Sequence, residues 1–169
     1  MQTISTYDSF FQRFSLEFFG PNVDWLWFKA QGIAESGLNS LAVSPCGAKG
    51  LMQLMPGTSA EMAERLGIED DPFEPHLNIW MGVGYDHYCW KVWKKEIGLE
   101  RWRFMLAAYN AGVGNILRAQ KLARAPAVWS SVADELPKIT GERAGETITY
   151  IRRIEGYYAD LAKDANPQF

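Results

Sequence analysis

A chain of 169 residues that is 47% apolar and 14% aromatic is long enough for one domain with a substantial core. Seventeen Lys and Arg against twenty Asp and Glu leave a formal charge of −3. That balance argues against a nucleic-acid partner, which calls for a basic stripe, and gives the chain as a whole no electrostatic grip on an anionic polymer. No window reaches the length of apolar residues that a membrane span requires, so no stable membrane insertion is expected. Asp8, Gln12, Arg13 and Glu17 interrupt the first nineteen residues, which therefore lack the run of a signal peptide. Cys46 and Cys89 stand in separate segments, without metal-ligand neighbours at a recognised spacing. Both read as small buried apolar residues, whether they pair stays open, and neither a metal nor a cofactor is expected.

Phe10, Phe11, Phe14, Phe18 and Phe19 recur at helical spacing, which predicts an amphipathic helix over Tyr7–Phe19 that Gly20-Pro21 ends. Asn22 or Asp24 can cap the next helix, about Val23 to Ser36. Trp25, Phe28, Gly32 and Glu35 fall on one side of it, and Leu26, Trp27, Ala30 and Ile33 cover most of the rest. A helix apolar nearly all round is a buried central one. Gly37 is its natural stop. Leu38–Gly57 is mostly turn and loop, with at most a short hairpin. Thr58-Ser59-Ala60-Glu61 reads as a capping box opening a helix that ends at Leu66-Gly67. The acidic, proline-bearing Glu69–Pro75 is a connection. Asn78–Ile97 is predicted as one long helix stopped by Gly98. Helices follow over Arg101–Tyr109, Gly114–Leu122 and Ala127–Leu136, then a polar turn at Gly141–Gly145, a last helix Glu146–Ala162 and a loose tail from Lys163. Trp25, Trp27, Trp80, Trp90, Trp93 and Trp102 either fill the core or line a groove for sugar rings. The class is all-α or mostly α, in a single domain.

Glu35 has no acidic neighbour between Asp24 and Glu61 and closes the greasiest run of the chain. Burial disfavours a charged carboxylate, and the helix C-terminus is the negative end of its dipole. Both effects predict a raised pKa, which suits a general acid.

Glu35-Ser36, Ser44-Pro45, Gly47-Ala48-Lys49-Gly50-Leu51-Met52-Gln53-Leu54-Met55-Pro56, Ala108-Tyr109-Asn110-Ala111-Gly112 and Glu146-Thr147-Ile148-Thr149-Tyr150 stand in this order. In that order and spacing the chain resembles the soluble lytic transglycosylases of the lysozyme-like superfamily, from about Trp25 to about Ile154. The resemblance implies a lysozyme-like fold with a central buried helix. It also implies cleavage of the MurNAc–GlcNAc bond of peptidoglycan with 1,6-anhydro ends. Glu35 is then the acid and base, while Ser44 and Gln53 hold N-acetyl and hydroxyl groups. Met52 and Met55 form cleft wall, Tyr109 and Tyr150 are phenols that approach the catalytic carboxyl, Asn110 contacts sugar, and Glu146 supports from behind.

Most glycosidases pair two carboxylates across the bond, and none is placed beside Glu35 in sequence. Muramic acid can itself supply the nucleophile, which suits an enzyme with one carboxylate. Two other readings stay open. One is a goose-type lysozyme-like hydrolase with water as nucleophile. The other is an idle glycan-binding scaffold of a virion or secretion system. A monomer acting on glycan strands is expected. Its setting would be a phage virion or the host cytoplasm, with delivery to the periplasm and wall.

Overall fold

The computed structural model describes residues 6–165. Their helices are α1 (Asp8–Phe19), α2 (Leu26–Ser36), α3 (Pro56–Leu66), α4 (Pro75–Val92), α5 (Gly98–Ala111), α6 (Val113–Leu122), α7 (Trp129–Glu135), α8 (Pro137–Thr140) and α9 (Arg143–Ala165). The expected hairpin is reduced to two isolated antiparallel bridges, Val43 with Lys49 and Lys49 with Leu54. The mostly α class expected from periodicity is the class observed. No described helix is long and apolar enough to cross a membrane.

The chain divides into two compact units. The first comprises residues up to Tyr85 together with those from Ile154, and the second runs from Asp86 to Arg153. The chain therefore enters the second unit within α4 and leaves it within α9.

In the first unit α2 is the central element. Every residue from Leu26 to Gly32 is buried, and Ala34 with them. Asp24 Oδ1 accepts from the Leu26 N–H at 3.0 Å, so the helix starts three residues later than its apolar pattern suggests. Phe11 and Phe14 of α1 pack inside, and the Phe14 ring stacks on Trp80 at 5.3 Å. Lys29 is buried on α2 and meets Asp8 of α1 at 2.9 Å. A charge so placed is tolerated only because it is paired, and the pair fixes α1 against α2. Residues 154–165 complete this unit. The Tyr158 ring stacks on Trp27 with centroids 4.0 Å apart, and its hydroxyl donates to Asp24 Oδ2 at 3.0 Å.

The second unit is built on α5, whose Phe104 to Ala108 are all buried. Phe104 stacks on Trp93 and meets Trp129 edge-on, at 5.7 and 5.8 Å. Glu100 accepts from the Trp129 N–H and so fastens the start of α7. Trp27 and Trp93 belong to the core, whereas Trp25, Trp80, Trp90 and Trp102 are half-buried.

Several boundaries differ from expectation. The capping box at Thr58 does not form. Pro56 occupies the first turn of α3, where its missing N–H costs nothing, and Thr58 lies inside the helix. The long helix predicted to Ile97 ends at Val92, and Gly98 opens α5 instead of closing α4. Arg143 already belongs to α9, and so do residues 163–165 of the expected tail. The rest of the tail, 166–169, lies outside the described residues. Cys46 is exposed rather than buried, while Cys89 is buried as expected, and both are free thiols.

Candidate active site

Glu35 lies in the last turn of α2 and is half-buried. Gly37, at φ 63°, closes that turn in the left-handed conformation, with its N–H on the Ile33 carbonyl at 2.9 Å. Ser36 then ties the helix end to the following loop. Its Oγ donates to the Leu51 carbonyl at 2.8 Å and accepts from the Asn39 N–H at 3.2 Å.

The loop itself is cross-braced. Ser44 Oγ accepts from the Ala48 N–H at 3.0 Å, and the Ser44 N–H donates to the Ala48 carbonyl at 2.9 Å. This turn presents Pro45 and Cys46 at an exposed tip. Lys49 and Leu54 exchange both backbone bonds. Gln53, at φ 47°, turns its amide back on the loop, where Nε2 donates to the carbonyls of Gly50 at 2.9 Å and Ala42 at 3.2 Å.

Asn78 holds the same loop from below. It is fully buried in α4; Oδ1 accepts from the Met52 N–H at 2.7 Å and Nδ2 donates to the Lys49 carbonyl at 3.1 Å. Gly50 passes so close above that a Cβ there would sit 2.2 Å from the Pro72 carbonyl oxygen. Met52 has no exposed surface, and its side chain lies against Gly82. Its expected place in a cleft wall is thereby corrected: it is packing beneath the loop. Met55, in contrast, is 46% exposed at the loop's end.

The other predicted residues belong to the second unit. Tyr109 is half-buried near the end of α5. Asn110 does not cap that helix, since Gly112 does. Its Oδ1 instead accepts from Thr147 Oγ1 at 2.7 Å, which joins α5 to the start of α9. Tyr150 is buried one turn farther along α9, and Glu146 is exposed.

Sequence reasoning assigned no role to Asn78 and treated Ser36 and Thr147 only as parts of motifs. Each acts on a partner far along the chain, two of the three on backbone atoms, so no local pattern of side chains announces it.

Residues 20–132 match the family model described as the transglycosylase SLT domain. Among curated proteins, a membrane-bound lytic murein transglycosylase F of Maricaulis maris is 34% identical over 155 residues, covering 82% of this chain and 33% of its own. One of Serratia proteamaculans is 34% identical over 152 residues, covering 87% and 29%. The chain thus spans about a third of the curated relatives it matches. Among solved structures, the 70 kDa soluble lytic transglycosylase of Escherichia coli superposes with a TM-score of 0.76 at 25% identity, over 95% of this chain and 24% of its own. An inactive mutant of the lytic transglycosylase Slt of Pseudomonas aeruginosa gives 0.74 at 26% identity, over 96% and 25%. The lysozyme-like fold expected from the motifs is the fold these structures share with the chain.

Proposed function

Because this chain belongs to the transglycosylase SLT family, we propose that it is a peptidoglycan lytic transglycosylase with Glu35 as its single acid and base. It protonates the bridging oxygen of the MurNAc–GlcNAc bond. The acetamido oxygen of the muramic residue stabilises the developing cation. Glu35, now ionised, takes the proton from the muramic 6-hydroxyl, which closes the 1,6-anhydro ring without consuming water.

The observation that carries this reading is the seating of Glu35. It sits half-buried at the end of a helix that is buried almost throughout, and Ser36 locks the loop onto the same turn. Glu61, the next acid along the chain, is exposed and paired with Arg65 at 2.6 Å, so it is poorly suited to serve as a second catalytic carboxylate. On this reading Ser44, Met55 and the carbonyl end of the Gln53 amide receive the sugar from the loop. The family motifs assign Tyr109, Asn110 and Tyr150 to sugar contact as well, with Glu146 in support. The partner is the glycan strand, met by a monomer in a phage or virion setting.

Digestion of purified peptidoglycan tests the reaction. Mass spectrometry should find muropeptides one water lighter than hydrolysis products. Glu35→Gln should lower their release by about a hundred- to ten-thousandfold while the circular dichroism stays that of the parent. Reducing-end products would establish the hydrolase instead. An active Glu35→Gln protein would remove Glu35 from the chemistry.

A further inference from the structure

The two units differ sharply in charge. Residues 86–153 hold twelve Lys or Arg against seven Asp or Glu, a net +5. The rest of the chain holds five against thirteen, a net −8. The modest total of −3 conceals a basic unit.

Part of that charge surrounds exposed aliphatic side chains. Between α4 and α5 the chain makes an elbow over residues 91–99. Trp93 points inward and is buried, with Nε1 donating to Gln120 Oε1 at 3.0 Å. Around it Lys91, Lys94 and Lys95 are exposed, and Ile97 is 83% exposed. The Gln120 amide also donates to Glu96 Oε1 at 3.2 Å and to the Pro126 carbonyl at 2.6 Å. One side chain therefore fastens the elbow to the end of α6 and to the segment after it. There Lys121 and Arg124 are exposed beside Leu122, which is 50% exposed. The acid within the elbow, Glu96, is half-buried and already engaged by Gln120.

Aliphatic tips ringed by lysines discriminate among partners. A soluble anionic polymer would use the cations and leave Ile97 in water. A protein interface would bury Ile97 but must also desolvate lysines, which such interfaces avoid. A bilayer surface satisfies both groups, because aliphatics enter the boundary of the acyl chains while lysines rest on lipid phosphates. We propose that this elbow docks the second unit onto an anionic phospholipid membrane, with Ile97 and Leu122 inserted and Lys94, Lys95, Lys121 and Arg124 on headgroups. The docking is independent of the transglycosylase reading.

Co-sedimentation with vesicles tests it. The protein should partition onto an equal mixture of phosphatidylcholine and phosphatidylglycerol far more than onto phosphatidylcholine alone, and added salt should weaken it. Replacing both lysines (Lys94→Gln with Lys95→Gln) should lower partitioning about thirtyfold, from roughly one kcal/mol per cation. Ile97→Gln should lower it about tenfold. These positions are exposed, so the variants should keep the parent's circular dichroism. Absence of binding to the mixed vesicles overturns the proposal. So does binding that Ile97→Gln leaves unchanged, which would mean that charge alone acts. A dimer in sedimentation velocity that Ile97→Gln dissociates would assign the elbow to a second copy of the chain and overturn it equally.

Discussion

Gly50→Ala is the sharpest test of how the loop beside Glu35 is held. The backbone there has φ 76°, so any L side chain carries a left-handed penalty of roughly 1–2 kcal/mol. The new Cβ would also lie 2.2 Å from the Pro72 carbonyl oxygen and 2.5 Å from Asn78 Nδ2. The Pro72 backbone must therefore shift, which is costly, and the Asn78 side chain must move as well. It then gives up the buried Met52 N–H, a loss of about 1–3 kcal/mol, whereas the Lys49 carbonyl loses only its second donor and keeps the Leu54 N–H. The sum is about 2–5 kcal/mol before any strain at Pro72 is added, a large share of the 5–15 kcal/mol typical of a domain. Gly47 supplies the control. It has φ 87°, and a methyl added there would meet nothing within 4 Å, so Gly47→Ala should cost only the backbone penalty of about 1–2 kcal/mol. Urea unfolding followed by tryptophan fluorescence measures both. An Asn78→Ala background gives a second check, since Gly50→Ala should cost less there once the shared bonds are already gone. Equal losses at Gly47 and Gly50, or strict additivity with Asn78→Ala, would refute the clamp.

Two further outcomes are expected. Burial first, then the positive charges of Lys91 and Arg101, hold the His87 imidazole below its ordinary 6.5. The folded protein therefore takes up this proton less readily than the unfolded chain, and the stability tied to His87 is complete above about pH 6.5 and is lost as pH falls below it. His87→Gln should thus show a smaller drop in melting temperature from pH 7 to pH 5 than the parent; an equal drop would remove His87 from the account. In the native protein an aromatic disulfide reagent should modify one thiol promptly, the exposed Cys46, and reach Cys89 only on unfolding. Prompt reaction persisting in Cys46→Ser would contradict that placement.

What could be read from the sequence was whatever a short stretch of chain decides. The stops at Gly20, Gly37 and Gly67 and the all-round apolar face of α2 are local properties, and the helices end and bury accordingly. The failures are instructive for the same reason. Thr58-Ser59-Ala60-Glu61 has the letters of a capping box, but Pro56 starts the helix first, and a capping residue has no function inside a helix. Val92-Trp93 continues the apolar period of α4, yet Trp93 is drawn inward by Phe104 and Gln120, and the helix ends. Met52 has the chemistry of a cleft wall, and only the closeness of Gly82 places it in the core. The braces of Ser36 on Leu51, Asn78 on Lys49 and Met52, and Thr147 on Asn110 span fifteen to thirty-seven residues of chain, beyond any pattern that neighbours can write.

The passage of the chain out of the first unit within α4 and back within α9 has a consequence for biosynthesis. Synthesis is vectorial, so a ribosome that has released residues 1–85 has delivered most of the unit bearing Glu35 but not Tyr158, which covers Trp27 and donates to Asp24. That aromatic face must wait, open to water and to chaperones, while the whole of the second unit is translated. A nascent chain arrested before residue 154 should therefore expose Trp27 to a quencher that the released protein excludes. The late closure also links residues far apart along the chain, the kind of contact that slows folding.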